Sequence, residues 1–210
     1  MVDDARSCDS TIDEPETEPT TDRWIADAKV LDAALPSDVQ ETLGQLLGTE
    51  PVETLGDWVA EVRRHTGDES IAIDDLCHAS IETGHLGEMD GKTYHFRCFY
   101  DAVILSALAE TPVDIRTESP DGAVIEARAV GTTELTVIPE TAVFSFGVRD
   151  PTEPVSNEGP SPVDVYAAVC PYVRAFPRLE AYERWVRTVP AATVALPLAG
   201  ATNVAAKLVE

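Results

Sequence analysis

Lysine, cysteine and long apolar runs are all scarce in this chain, and each shortage rules against something. Only three of the 210 residues are lysines (Lys29, Lys92, Lys207), and 15 basic residues face 38 acidic ones for a net charge of −23. Binding nucleic acid requires basic patches that neutralise phosphates, so the charge balance argues against that class. No apolar stretch approaches the ~20 residues of a membrane-spanning helix. No basic segment followed by an apolar run opens the chain as a secretory signal would. The expected location is the cytoplasm, where thiols stay reduced. Neither GxxxxGK[ST] nor GxGxxG occurs, which leaves nucleotide cofactors unsupported. With four cysteines but no CxxC or CxxC…HxxxH spacing, a structural zinc site is not expected.

What is present begins with acid. Repulsion on this scale needs screening by salt, and an acidic, lysine-poor surface resembles proteins of salt-accumulating microbes, with a haloarchaeal cytoplasm the preferred source. The apolar fraction, 44%, is ordinary and supports a packed core. Residues 1–22 carry eight acidic residues and one arginine, a composition that reads as a solvated, disordered tail. Residues 23–92 read as a helical, winged-helix-like subdomain. Ser37-Asp38-Val39-Gln40 has capping-box form ahead of Val39, Leu43, Leu46 and Leu47. Leu55, Trp58, Val59 and Val62 form a second stripe. Ile73, Leu76, Cys77 and Ser80 suggest a third helix ending at Gly84, and Asp90-Gly91 a hairpin turn.

Residues 93–210 read as an α+β core of mainly antiparallel strands flanked by helices. A helix follows Cys98, with Val103, Ile104, Ala107 and Leu108 apolar. Strands are expected at 113–117, 123–129, 134–138 and 142–148, with Asp121-Gly122 as a turn. A loop over 150–162 precedes a helix opening at Ser161-Pro162, and Arg178 to Val189 forms another. The Ala-rich run 194–208 reads as packing.

The chemistry concentrates at Cys98-Phe99-Tyr100-Asp101 and the distant Cys170. Thiolates select soft metal ions. If Cys98 begins a helix, Asp101 three residues on shares its face, and a helix N-terminus with the adjacent Arg97 would lower the thiol pKa. Asp101 can then take a proton from one thiol and deliver it elsewhere; the plainer alternative is a capping aspartate beside a small core cysteine. His78 and His95 lie near cysteines, but their spacing gives little metal signal. Cys8 in the tail reads as an exposed thiol, and Cys77 is placed on the third helix without a role.

The stretch Thr93-Tyr94-His95-Phe96-Arg97-Cys98-Phe99-Tyr100-Asp101-Ala102 resembles the active-site segment of the alkylmercury (organomercurial) lyases: an aromatic-rich strand ending in Cys, two residues, Asp, then an apolar helix. Glu118-Ser119-Pro120 with Asp121-Gly122 is similar to the family's strand-turn. Val169-Cys170-Pro171-Tyr172-Val173-Arg174-Ala175-Phe176 resembles its second cysteine segment, and the helix with Tyr182, Glu183 and Trp185 the element after it. The resemblance runs from Ser37 to the C-terminus. It implies Cys98, Asp101 and Cys170 as catalytic residues, the same three side chains handling substrate and product mercury, and no required cofactor. It further implies an organomercurial substrate, with product Hg(II) passing to cytosolic thiols or a mercuric reductase. The chain departs from the family in Arg97, where an aromatic is usual, in Tyr172, where a histidine is common, and in lacking the extra cysteine some members carry near the Ser-Pro turn. A carrier of Hg(II) or Cu(I) on the same fold is the alternative; it would not need Asp101. A winged-helix regulator sensing metal fits poorly with so acidic a helical region.

Overall fold

The computed structural model describes residues 23–26, 29–65, 71–149 and 160–210. The acidic tail with Cys8, Gly67 and most of the loop expected at 150–162 lie outside the described residues. Two antiparallel sheets and six helices make up the rest, an α+β architecture as the residue pattern predicts.

The larger sheet runs β2-β1-β3-β4-β5, formed by β1 (His85–Met89), β2 (Lys92–His95), β3 (Pro112–Glu118), β4 (Val124–Val130) and β5 (Glu134–Ile138). Alternation in β3 buries Val113, Ile115 and Thr117 on one face and leaves charged residues on the other, the pattern of a sheet covered on one side only. The cover is α3 (Tyr100–Ala109), whose residues from Asp101 to Ala107 are all buried. Asp90 and Gly91 both take positive φ (51° and 76°), the backbone that a two-residue hairpin turn between β1 and β2 demands.

The smaller sheet, β7-β6-β8, comprises β6 (Val143–Arg149), β7 (Ala175–Phe176) and β8 (Ala191–Pro197). Its central strand β6 is buried from Val143 to Val148 because helices pack against it: α1 (Ser37–Leu47), α4 (Pro162–Val169) and α5 (Leu179–Val186). Two further helices, α2 (Leu55–His65) and α6 (Ala201–Val209), pack on each other, and α6 also packs on α3. The Ala-rich C-terminal run is thus split between a strand and a helix.

Several local expectations change. The capping box at Ser37 does not form: Pro36 occupies the cap position, Gln40 donates to the Leu35 carbonyl, and Asp38 pairs with Arg23. A capping box does form at Ser161–Asp164, with Pro162 in the first turn of α4. The third helix shrinks to one 3-10 turn, Ile73–Asp75. Beyond it the chain is extended, because its backbone groups pair with residues 95–97: Ala79 N–H donates to His95 O, and Arg97 N–H to Cys77 O. Non-local pairing has overridden a helical hydrophobic spacing. The β1–β2 hairpin pairs with β3 across the boundary expected at 92/93, so the strands of residues 85–95 belong to the larger sheet.

β6 also carries the turn that presents Cys170. Ser145 Oγ donates to Tyr172 O (2.7 Å) and accepts from Arg174 N–H (3.1 Å), while Ser145 N–H donates to Arg174 O (2.8 Å). Gly147 lets that turn lie flat, since a Cβ there would sit 2.6 Å from Thr193 Cγ2 and 3.0 Å from Tyr172 Cβ. Gly147→Ala is therefore expected to lower unfolding free energy by about 1–3 kcal/mol through overpacking. Chemical denaturation in molar salt measures it, and an unchanged midpoint would refute the close approach.

Candidate active site

Cys98 lies two residues before α3, not within it, and its 3% exposure is matched by 6% for Asp101 in the first turn. The Cys98 thiol donates to Asp101 Oδ2 at 3.2 Å. The other carboxylate oxygen, Oδ1, accepts from the Cys77 N–H at 3.3 Å. A carboxyl group this deeply buried is tolerable only when hydrogen-bonded, and both its oxygens are.

Cys170 arrives from the far side, on the 3-10 turn Cys170–Tyr172 after α4. There it lines an inner chamber together with Cys98 and Asp101, and an outer groove together with Cys77. Three of the four cysteines and one carboxylate therefore converge. Cys77 is the member that residue spacing misses, because the spacing places it on a helix. The signal that could have found it was chemical: in a chain this poor in thiols, a cysteine beside no other role is worth placing.

The electrostatics follow from burial. Burial pushes the Asp101 carboxyl up, against the hydrogen bonds from Cys98 and Cys77 N–H and the charge of His78. Contact with Cys170 draws the Cys98 thiol down, but burial and the charge of Asp101 outweigh it, leaving Cys98 raised. Cys170 is raised by its contacts with Cys77 and Cys98 and then by burial. Cys77 is lowered, by the contact with Cys170 and then by Arg97, against burial and Asp101. The effect expected of Arg97 thus falls on Cys77, and Cys98 is a protonated thiol at neutral pH.

Cys98, Asp101 and Cys170 line one wall of a cavity of about 110 Å³ whose other walls include Trp58, Tyr100, Ile104, Phe144, Phe146 and Val173. Thiols and a proton carrier thus face an apolar chamber of the order of the ~150 Å³ at which a dry protein cavity accepts a benzene ring. The histidines near the cysteines are held structurally: His78 Nε2 donates to Ile73 O (2.8 Å), and His95 Nδ1 accepts from Thr83 N–H (3.3 Å).

A third histidine anchors the Cys170 turn. Arg174 Nη1 donates to His85 Nε2 (2.8 Å), so His85 is neutral and its Nδ1–H donates to Thr117 Oγ1 (2.7 Å). Arg174 Nε also donates to Pro171 O (3.0 Å). The chain Thr117–His85–Arg174–Pro171 joins the larger sheet to the residue beside Cys170.

Two sulfurs and a buried carboxyl open onto an apolar chamber, a donor set that favours soft metal ions beside a group able to carry a proton. Residues 79–210 match the MerB alkylmercury lyase family. The chain belongs to that family, whose members are enzymes that cleave carbon–mercury bonds. A solved structure described as the mercury-bound form of MerB2 is similar over 81% of this chain and 97% of that one, at 14% identity and a TM-score of 0.46. No curated protein sequence matches the chain significantly.

The His85 clamp has a pH signature. Burial first, then Arg174, holds His85 at about 4 against an ordinary 6.5. Between those values the unfolded chain binds a proton that the folded one refuses. Stability present above pH 6.5 is therefore lost as pH falls toward 4, by no more than about 3 kcal/mol. In denaturant titrations at pH 7 and pH 4.5, His85→Gln is expected to lose less stability on acidification than wild type. Equal losses would contradict a neutral His85.

Proposed function

We propose that Cys98, Asp101 and Cys170 carry out the carbon–mercury protonolysis. The observation that carries this reading is the Cys98–Asp101 hydrogen bond at the wall of an apolar chamber that Cys170 also lines. An organomercurial enters as its thiol adduct, R–Hg–SR′, with R in the chamber. Asp101 takes the proton of one cysteine, the thiolate so formed displaces R′S⁻ from mercury, and Asp101 passes that proton to R′S⁻, which leaves as R′SH. The second cysteine adds to mercury and yields its proton to Asp101. Two sulfur donors raise electron density at mercury and make its carbon basic, and Asp101 then protonates that carbon as the C–Hg bond breaks. The balance is R–Hg–SR′ plus two cysteine thiols giving R–H, R′SH and Hg(II) bound by two cysteine sulfurs.

A carboxyl held above its ordinary range suits this work, because it must gain and lose a proton near neutral pH. Excluding water from the chamber keeps that proton for carbon. The cavity's size favours small alkyl or phenyl groups as R. No step calls for a resident cofactor. Product Hg(II) passes to cytosolic thiols or to a mercuric reductase, the location is cytoplasmic, and the net charge of −23 supports the reading of a haloarchaeal-type member.

Headspace gas chromatography of purified protein with phenylmercury or methylmercury, excess thiol and molar salt provides the test. Wild type is expected to release benzene or methane, with Cys98→Ala and Cys170→Ala at background. Asp101→Asn is expected to retain mercury while losing about 10²-fold or more in hydrocarbon release. Full activity in Asp101→Asn would remove the proton carrier, and mercury binding without hydrocarbon in wild type would leave a carrier.

A further inference from the structure

The two sulfurs assigned to mercury are not equally placed for letting it go. Cys98 is 3% exposed and faces the inner chamber. Cys170 lines that chamber and also a wider outer groove of about 530 Å³, whose walls include Cys77, His78, Arg97, Tyr166 and Arg174. Cys77 is half-buried in this outer groove. Cys170 thus shares the inner chamber with Cys98 and the outer groove with Cys77.

Cys77 is also held in register with the reaction centre. Its N–H donates to Asp101 Oδ1 (3.3 Å) and its carbonyl accepts from Arg97 N–H (3.0 Å). It lies just before the segment 79–210 that the chain shares with its family.

We propose that Cys77 is a third mercury ligand, the outer station of a thiol relay that carries Hg(II) from the Cys98–Cys170 pair to a Cys170–Cys77 pair and on to an external thiol. The inference rests on the reading of Cys98 and Cys170 as the product site. Mercury(II) bound by two thiolates exchanges when a third attacks. Here the Cys77 sulfur forms a bond to mercury, and the bond to Cys98 breaks. Cys77 gives up one proton to the open groove, and Cys98 regains one through Asp101, 3.2 Å away. No oxidation state changes. An external thiol then meets mercury in the groove rather than having to enter the chamber.

The test starts from inorganic Hg(II), so it does not depend on hydrocarbon release. Wild type, Cys77→Ser and Cys77→Ala are loaded with one equivalent, mixed with excess dithiothreitol, and separated rapidly for measurement of retained mercury. Transfer is expected to slow tenfold or more in both variants; rates within twofold of wild type would overturn the relay. Unmodified protein supplies a second readout that no folding defect can confound. Maleimide labelling followed by peptide mass spectrometry should find Cys77 protected by Hg(II), and equal labelling with and without the metal would also overturn the proposal. Failure of the lyase reading would look different, as absent hydrocarbon from wild type with mercury transfer intact.

Discussion

One buried carboxylate sets the terms for the rest. A carboxyl group at 6% exposure costs several kcal/mol unless its oxygens find donors. Asp101 satisfies them in opposite directions, with Oδ2 on the Cys98 thiol and Oδ1 on the backbone of Cys77. The start of α3, the end of the β1–β2 hairpin and the extended segment after residue 75 are thereby pinned at one point. The burial that makes those bonds obligatory also raises the carboxyl toward the range where it can hold a proton. The bonds that support the fold here and the shift in protonation share one cause, the burial of Asp101.

The second half of the site is assembled independently. Cys170 sits on a short turn that owes nothing to Asp101. Ser145 on β6 holds its backbone, and the neutral His85 with Arg174 holds its flank. The larger sheet thus reaches the second cysteine through a side-chain chain, while β6 reaches it through the backbone. Separate supports hold the two sulfurs from different elements of the fold, so neither cysteine depends on the other for its position.

Where residue pattern and local chemistry agreed, the sequence was readable. Strand-like runs marked β3 through β6 to within one residue at each end, Asp90-Gly91 marked the hairpin, and Ser161-Pro162 marked the start of α4. The pairing of Cys98 with Asp101 followed from their spacing, though the helix begins at Tyr100. The proximity of Cys170 came from family resemblance, since no local pattern connects residues 72 positions apart. Illegible were features decided by distant partners. The segment at 76–80 has helical spacing but gives its backbone to residues 95–97, and that exchange is what delivers Cys77. The His85–Arg174 clamp is likewise a contact between strands and a turn that no window of sequence contains. The lowered thiol expected for Cys98 is instead raised, since burial and the charge of Asp101 prevail there.

The closeness of the Cys170 turn to β6 has an evolutionary corollary. It is secured by an absent side chain at Gly147, whose Cβ would crowd Thr193 Cγ2, the Ala192 carbonyl and Tyr172 Cβ. Any descendant that acquires a methyl group at position 147 must trim position 193 or shift the turn at 172, and shifting the turn changes the sulfur-to-sulfur span. The three positions form one hereditary unit, so substitutions among them are expected to travel together, while the acidic exterior drifts freely around them.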